Sequence, residues 1–339
     1  MSRRGRSTSA LPFSLSSWSE MDSERRNSIL LVGGITIVIL LAIGLIGFGY
    51  YTDRVKPKHE TVLTVGHRSF DYAYLERRVK TNFRIGIVDP QNLQQDILRT
   101  LGQIQEEEVT RQTAKANGYT ATDAEIEAEM PSQIPGQHPK EPTPEELREL
   151  VRGYLLSTGY SLDEFREIIT AKVLKSKMHD DIEAAVPSQL PHASMRIIVN
   201  TTEGNALNAK QQFQQRLLTE PEPDIAFALV AAVVSEDASK AEGGEKNWVV
   251  KGSLPAKVDE VAFTKTGASD IIETPEGYYL LFVREIQTQT VTADDKKAIV
   301  DRTIQDKQTA AMDPLGGTKV GLTSDHISRI TRALAALSA

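Results

Sequence analysis

The side chains best suited to acid, base, nucleophilic or metal chemistry are few in this chain of 339 residues, which has six histidines and no cysteine. Histidine serves as a general acid or base or as a metal ligand, and both uses need partner groups at a suitable spacing. The histidines show no such spacing, and each is predicted to be a surface or linker residue: His59, His67, His138, His179, His192 and His326. Without cysteine, disulfides, thiolate metal sites and cysteine nucleophiles are excluded. No metal and no cofactor are expected.

Motifs of the common enzyme classes are also missing from the sequence. There is no P-loop, no G-x-S-x-G and no dinucleotide fingerprint, which excludes the standard routes to nucleotide binding, ester hydrolysis and redox chemistry. The most distinctive polar stretch is Ser235 to Glu245, in which acidic and hydroxyl side chains precede the pair Gly243-Gly244. The glycine pair and its register relative to the polar residues are hard to produce by chance.

Four stretches in order give residues 193 to 286 a family resemblance. The first, Ala193-Ser194-Met195-Arg196-Ile197-Ile198-Val199, reads like A-S-H-I-L-V, and Ser235 to Glu245 reads like S-x-D-x-x-S-x-x-x-G-G-D. The others are Lys251 to Pro255 with Val261 to Phe263, and Glu273 to Tyr279, which reads like T-x-x-G-Y-H. Together they resemble the parvulin family of peptidyl-prolyl isomerases.

The resemblance implies a proline-binding pocket and a few polar groups beside it. Prolyl isomerisation needs no nucleophile or metal, because its barrier of about 18–20 kcal/mol comes from amide resonance, which a twisted amide loses. By the family pattern the proline ring would lie against Leu254, Val258 and Phe263, while Asp237 and Thr274 hold the polar positions. The sequence accordingly predicts substrates with X-Pro segments.

The chain departs from the family at both of its histidine positions. The resemblance places Arg196 and Tyr279 there, so whether isomerase activity survives is open. A buried arginine without an acidic partner is costly, which motivates the hypothesis that Arg196 pairs with Asp237. The Tyr279 hydroxyl would then take the remaining place in the hydrogen-bond network.

The sequence on both sides of this domain predicts further helical regions. Residues 60–186 have helical spacing, with a capping box from Thr122 to Glu125 and a proline-rich loop from Pro131 to Pro144. Val65-Gly66-His67 and Ala114 to Ile126 are similar to the N-terminal chaperone segments of the SurA, PrsA and PpiD foldases. Residues 190–288 read as a parvulin-like α/β domain. Residues 293–339 read as C-terminal helices, the last capped by Ser324 and docked on the protein's own body.

The N-terminal part predicts a membrane anchor. Residues 29–51 form 23 consecutive positions without a charge, enough to cross roughly 30 Å of hydrocarbon. Residues 1–28 carry five arginines against three acidic residues, which favours a cytoplasmic tail and an extracytoplasmic bulk. The chain's net charge is −7, and this acidic balance makes nucleic acid an unsuitable partner.

The fold class expected is therefore α+β, with one transmembrane helix, a helical chaperone-like region, a parvulin-like domain and C-terminal helices. Three functions stay open at this point. The first is a membrane-anchored foldase that isomerises prolyl bonds of unfolded, exported polypeptides. The second is a chaperone whose parvulin domain binds peptides without turnover, and the third is a structural subunit of a membrane complex.

Overall fold

The computed structural model describes residues 59–88, 92–137, 139 and 141–338. The predicted tail 1–28, the predicted anchor 29–51 and His138 lie outside the described residues. Within the described ranges, none of the helices combines the length and apolar character needed to span a bilayer. Among the described residues, 59–61 and Asp71–Ala73 fall in one unit, and Val62–Phe70 with the residues from Tyr74 onward fall in a second, compact unit. The elements that position the candidate site all belong to the second unit.

Five helices make up the N-terminal half of the described chain. They are α1 (Tyr72–Arg84), α2 (Leu93–Ala116), α3 (Asp123–Glu129), α4 (Pro144–Thr158) and α5 (Leu162–Ala185). The last three each begin with a capping box, from Thr122 to Glu125, Thr143 to Glu146 and Ser161 to Glu164. The first of these confirms the sequence prediction, because this signal depends only on residues three apart.

The C-terminal segment returns to this helical region. Helix α9 (Ala293–Met312) packs on α2 and α5, and strand β8 (Thr318–Val320) pairs antiparallel with β1 (Thr61–Val65) beside β2 (Arg68–Asp71). Helix α10 (Ser324–Ser338) buries Ile330 and Leu334 and contacts α2, in agreement with the prediction that it docks on the protein's own body.

The cap of α10 differs from the prediction. The helix begins at Ser324, so Thr323 rather than Ser324 precedes it, and the Thr323 Oγ1 accepts the His326 amide at 3.3 Å. The His326 Nδ1 in turn accepts the Thr323 amide at 3.2 Å, and the ring is buried. His326 is thus a capping residue and the prediction of a surface histidine is wrong here.

One antiparallel sheet forms the second half of the unit. Its strands are β3 (Gln189–Asn200), β4 (Glu245–Val250), β5 (Gly267–Ala268), β6 (Ile272–Thr274) and β7 (Gly277–Thr290). The order is β4-β3-β7-β5, with β6 also paired to β7.

Helices cover both faces of this sheet. On one face α6 (Glu203–Arg216) and α7 (Pro223–Val234) pack over Ile198 and Leu280. On the other face α8 (Ala256–Ala262) packs over Met195, Ile197 and Leu281. Since side chains alternate along a strand, residues 195 and 197 of β3 face α8, and 196 and 198 face α6 and α7. For the described residues the predicted α+β class is confirmed.

Candidate functional site

The three predicted pocket residues lie together on the α8 face of the sheet. Val258 is fully buried, whereas Leu254 and Phe263 are half-buried and pack against the same core. Leu254 lies just before α8, and the loop there is tied to the helix because the Gly252 amide donates to the Asp259 Oδ1 at 2.7 Å. The arrangement is an apolar floor with two partly open side chains, suited to hold a small ring.

Asp237 is fixed at the edge of this face by its own loop. Its carboxylate accepts the Ser239 amide at 2.8 Å and the Ser239 hydroxyl, and so caps the short 3₁₀ helix Ala238–Glu242. The Lys246 Nζ lies 3.2 Å from the Asp237 Oδ1. Burial acts to raise the pKa of Asp237, but these hydrogen bonds and the Lys246 ammonium outweigh it and hold the pKa below its usual value.

Thr274 and Tyr279 meet on the same face. The Thr274 Oγ1 donates to the Gly277 carbonyl at 2.9 Å, closing the turn between β6 and β7. Tyr279 is buried in the core that also contains Val258. Burial raises the pKa of the Tyr279 phenol, the Glu276 charge adds to the rise, and the Arg302 charge opposes it. Thr274 lies two residues after Ile272, which pairs with Tyr279, so both side chains are on one face of the sheet. Thr274 and Tyr279 therefore form a polar group beside the apolar pocket.

The glycine pair explains how the loop with Asp237 reaches the sheet. Gly244 has a φ of +74°, and a Cβ there would lie 2.3 Å from the Ile197 carbonyl oxygen. Gly243 has a φ of +66°, and a Cβ there would lie 2.9 Å from the Ala228 Cβ of α7. Only glycine allows both this backbone conformation and this close approach. The pair lets the loop pass between β3 and α7.

Arg196 does not join this group, and the predicted pairing with Asp237 is wrong. The Arg196 guanidinium binds Asp224 of α7 through Nε–Oδ1 at 2.9 Å and Nη2–Oδ2 at 3.1 Å. It also lies 3.0 Å from the Glu245 carboxylate, which Arg284 contacts as well. Its Nη1 donates to the Glu242 and Gly243 carbonyls at 3.2 and 3.1 Å. Arg196 thus holds the loop from the α7 side of the sheet.

The opening-strand residue that faces the pocket is Met195. It is fully buried in the core with Val258 and Tyr279. Direct alignment of Ala193-Ser194-Met195 with the family's A-S-H places Met195 at the histidine position. The irregularity in the pairing of β3 with β7 lies on β7, where Arg284 is skipped between Glu285 and Val283, so side chains alternate along β3 without interruption. The sequence could have indicated that Met195 faces the pocket, because side chains alternate along a strand. The alternate positions of β3 on one face are all apolar: Ala193, Met195, Ile197 and Val199.

His192 is also not the surface residue that was predicted. Its ring is buried, with Nδ1 2.9 Å from the Leu190 carbonyl and Nε2 3.2 Å from the Asp295 Oδ2 at the start of α9. This contact joins the sheet to α9 rather than serving the pocket. Within the described ranges no cluster of histidine and acidic side chains has the form of a metal site.

Comparison with known proteins identifies the class of this domain. Residues 173–285 match the model of the rotamase family, the PPIC-type PPIASE domain. The chain therefore contains a PPIC-type parvulin domain, which includes every pocket and polar residue described above.

The chain is also similar to curated chaperones named SurA. The protein from Chromobacterium violaceum is 33% identical over 81 residues, which cover 23% of this chain and 19% of that protein. The protein from Thiobacillus denitrificans is 26% identical over 110 residues, which cover 32% of this chain and 24% of that protein. The matched segments thus span no more than about a quarter of these relatives.

Among solved structures, foldases named PrsA are similar to the chain. The peptidylprolyl isomerase PrsA from Bacillus anthracis has 16% identity and a TM-score of 0.36, covering 70% of this chain and 96% of that chain. PrsA from Streptococcus pneumoniae has 17% identity and a TM-score of 0.31, covering 80% of this chain and 98% of that chain. Because these scores are low, the parvulin domain match carries the identification.

Proposed function

We propose that this protein is a membrane-anchored, extracytoplasmic foldase whose parvulin domain binds and isomerises X-Pro segments of unfolded, exported polypeptides. Residues 29–51 would hold it in the bilayer, with residues 1–28 in the cytoplasm. The uncharged stretch and the arginine bias of the tail support this placement.

The observation that carries the isomerase assignment is the joint placement of pocket and polar residues. Leu254 and Phe263 stand half-open over Val258, and Tyr279 lies in the same core beside Thr274. An apolar pocket can hold the proline ring, while fixed polar groups favour the twisted amide over the planar one. A tyrosine phenol is protonated at neutral pH, so the Tyr279 hydroxyl is a hydrogen-bond donor there. The raised pKa of Tyr279 only extends this range to higher pH.

A second candidate is peptide binding without turnover. Met195 favours it, because an apolar side chain stands where the family has a histidine that faces the pocket. In that case the pocket residues would still bind X-Pro segments, but the isomerisation rate would not change.

A protease-coupled proline isomerisation assay on the full chain separates the two candidates. Peptides with different residues before proline are followed with the wild type and with the Leu254→Ala/Phe263→Ala variant. Acceleration by the wild type that is lost in a folded double variant supports the isomerase. Binding of the peptides without acceleration supports the second candidate. If the peptides are not bound and isomerisation is not accelerated, both candidates are contradicted.

A further inference from the structure

The helical region contains an open groove that takes no part in the proposed isomerisation. It lies between α4 and α5, has a volume of about 560 Å³, and is lined by residues outside the parvulin domain match. Its floor is apolar and includes Met130, Val151 and Leu155. A volume of this size is within the range of roughly 300–1,000 Å³ that is typical of binding sites.

The apolar lining of the groove continues into solvent. Leu156 is 80% exposed and Leu162 is 48% exposed, and both line the groove. Large exposed leucines next to a concave apolar surface mark an interaction site, because water contact at these side chains is costly. Burial of both side chains by a partner would contribute apolar contacts that the free chain lacks.

Arginines surround this apolar surface. Arg148 and Arg152 lie four residues apart on α4, and Arg166 lies on α5, whereas Glu127 is the single acidic lining residue. Arg148 forms no ion pair with any described residue, and Arg152 has only the exposed Glu149 at 3.6 Å. Arg166 already pairs with Asp123 and lies 3.9 Å from Glu127, so Arg148 and Arg152 are the arginines open to a partner. Like charges four apart on a helix repel each other, so an acidic partner would relieve the repulsion between Arg148 and Arg152.

We infer that this groove binds a polypeptide segment with apolar side chains in its centre and acidic residues beside them. The inference rests on the proposed chaperone function and names a second peptide site with its own specificity. Glu145, Glu146 and Glu149 of the same helix do not line the groove. A segment held inside the groove therefore meets mainly the arginines, whereas an anionic membrane surface laid across the helix would also meet these glutamates and be repelled. An amphipathic segment in an apolar groove is a common mode of peptide recognition.

The test measures binding of two labelled, proline-free peptides to the full chain by fluorescence anisotropy. Both have the same centre of leucine and phenylalanine, and one has aspartates at its ends where the other has lysines. The wild type is expected to bind the aspartate peptide about tenfold more tightly, with a preference that weakens as salt is added. Arg148→Glu/Arg152→Glu is expected to reverse the preference.

A matched pair of leucine variants locates the site. Leu156→Glu is expected to weaken binding of the aspartate peptide by about tenfold or more, because it removes an apolar contact and adds a repelling charge. Leu218→Glu is the control, since Leu218 is 85% exposed and lies outside the groove. Both leucines are exposed, so neither change removes core packing.

Each contrary outcome overturns the inference. Equal affinity for the two peptides, equal effects of the two leucine variants, or no binding would do so. Tighter binding of the wild type to vesicles with anionic lipid than to the peptide, lost in Leu156→Glu, would assign the groove to the membrane instead. The isomerisation assay on the same samples keeps the proposals apart. Leu254→Ala/Phe263→Ala should abolish isomerisation and keep binding of the aspartate peptide. Leu156→Glu should weaken binding of the aspartate peptide and keep isomerisation.

Discussion

Arg196 and Asp224 form a bidentate ion pair on the face of the sheet opposite Tyr279. The pair joins β3 to the first turn of α7, and the same guanidinium binds the carbonyls of Glu242 and Gly243. The loop that carries Asp237 is therefore held by a contact from behind the pocket. This relationship makes the first prediction specific.

Asp224→Asn is expected to destabilise the protein by about 1–2 kcal/mol, because the half-buried Arg196 keeps only part of its charge compensation from Glu245. Asp237→Asn is expected to cost less than about 0.5 kcal/mol. Asparagine also caps helices well, and the pair with Lys246 is still partly open to solvent, so it contributes little. Urea unfolding of both variants checks this. A larger loss in Asp237→Asn than in Asp224→Asn would restore the pairing of Arg196 with Asp237.

Gly244→Ala is expected to destabilise the protein by more than about 3 kcal/mol, since its Cβ would meet the Ile197 carbonyl oxygen and the loop would have to move. Gly316→Ala is the control, because Gly316 has a similar φ of +78° and nothing within 4 Å of a Cβ. The control should lose only the cost of a positive φ, about 1–2 kcal/mol. Equal losses by thermal unfolding would show that the close approach to β3 does not matter.

Tyr279→Phe is expected to lower the rate of prolyl isomerisation by about tenfold or more with little change in peptide affinity. The change removes a hydroxyl from the polar group beside Thr274 but keeps the buried ring. The assay reports the rate and a titration with the same peptide reports the affinity. A parallel loss of both would indicate that Tyr279 supports the shape of the pocket and not the reaction.

Tyr160→Phe tests a buried phenol in the helical region. Burial raises the pKa of Tyr160 from 10.0 to about 12, with the Arg78 charge acting in the opposite direction. The folded protein keeps the Tyr160 phenol protonated up to a higher pH than the unfolded chain does. The stability that this protonated phenol contributes is therefore present below pH 10 and is lost as the pH rises toward about 12. The wild type should therefore lose stability over this window relative to Tyr160→Phe. Urea unfolding across the window would contradict this if the two curves run parallel.

Local patterns predicted the parts of the fold that depend on neighbours in sequence. The capping box at Thr122 and the glycine pair both depend on residues a few positions apart. The apolar positions Leu254, Val258 and Phe263 were predicted as one pocket, and they do share one core. Their part in binding stays a prediction.

The partner of Arg196 was decided only by the tertiary structure. Side chains alternate along β3, so Arg196 lies on the face opposite Met195, where α7 brings Asp224 to it. The sequence pattern placed Arg196 with Asp237, because it does not show which helix covers that face. Lys246 became the partner of Asp237 because β4 pairs with β3 beside the loop.

The sequence by itself determined the composition of the domain: an apolar pocket, a glycine-dependent loop, polar residues on the closing strand and no chemistry that needs cysteine. The tertiary structure decided which of these residues meet, and it brought β8 back to β1 and buried His192 against Asp295. The physical reason is distance along the chain. Caps and turns form between near neighbours, whereas ion pairs and sheet faces depend on segments that only folding brings into contact.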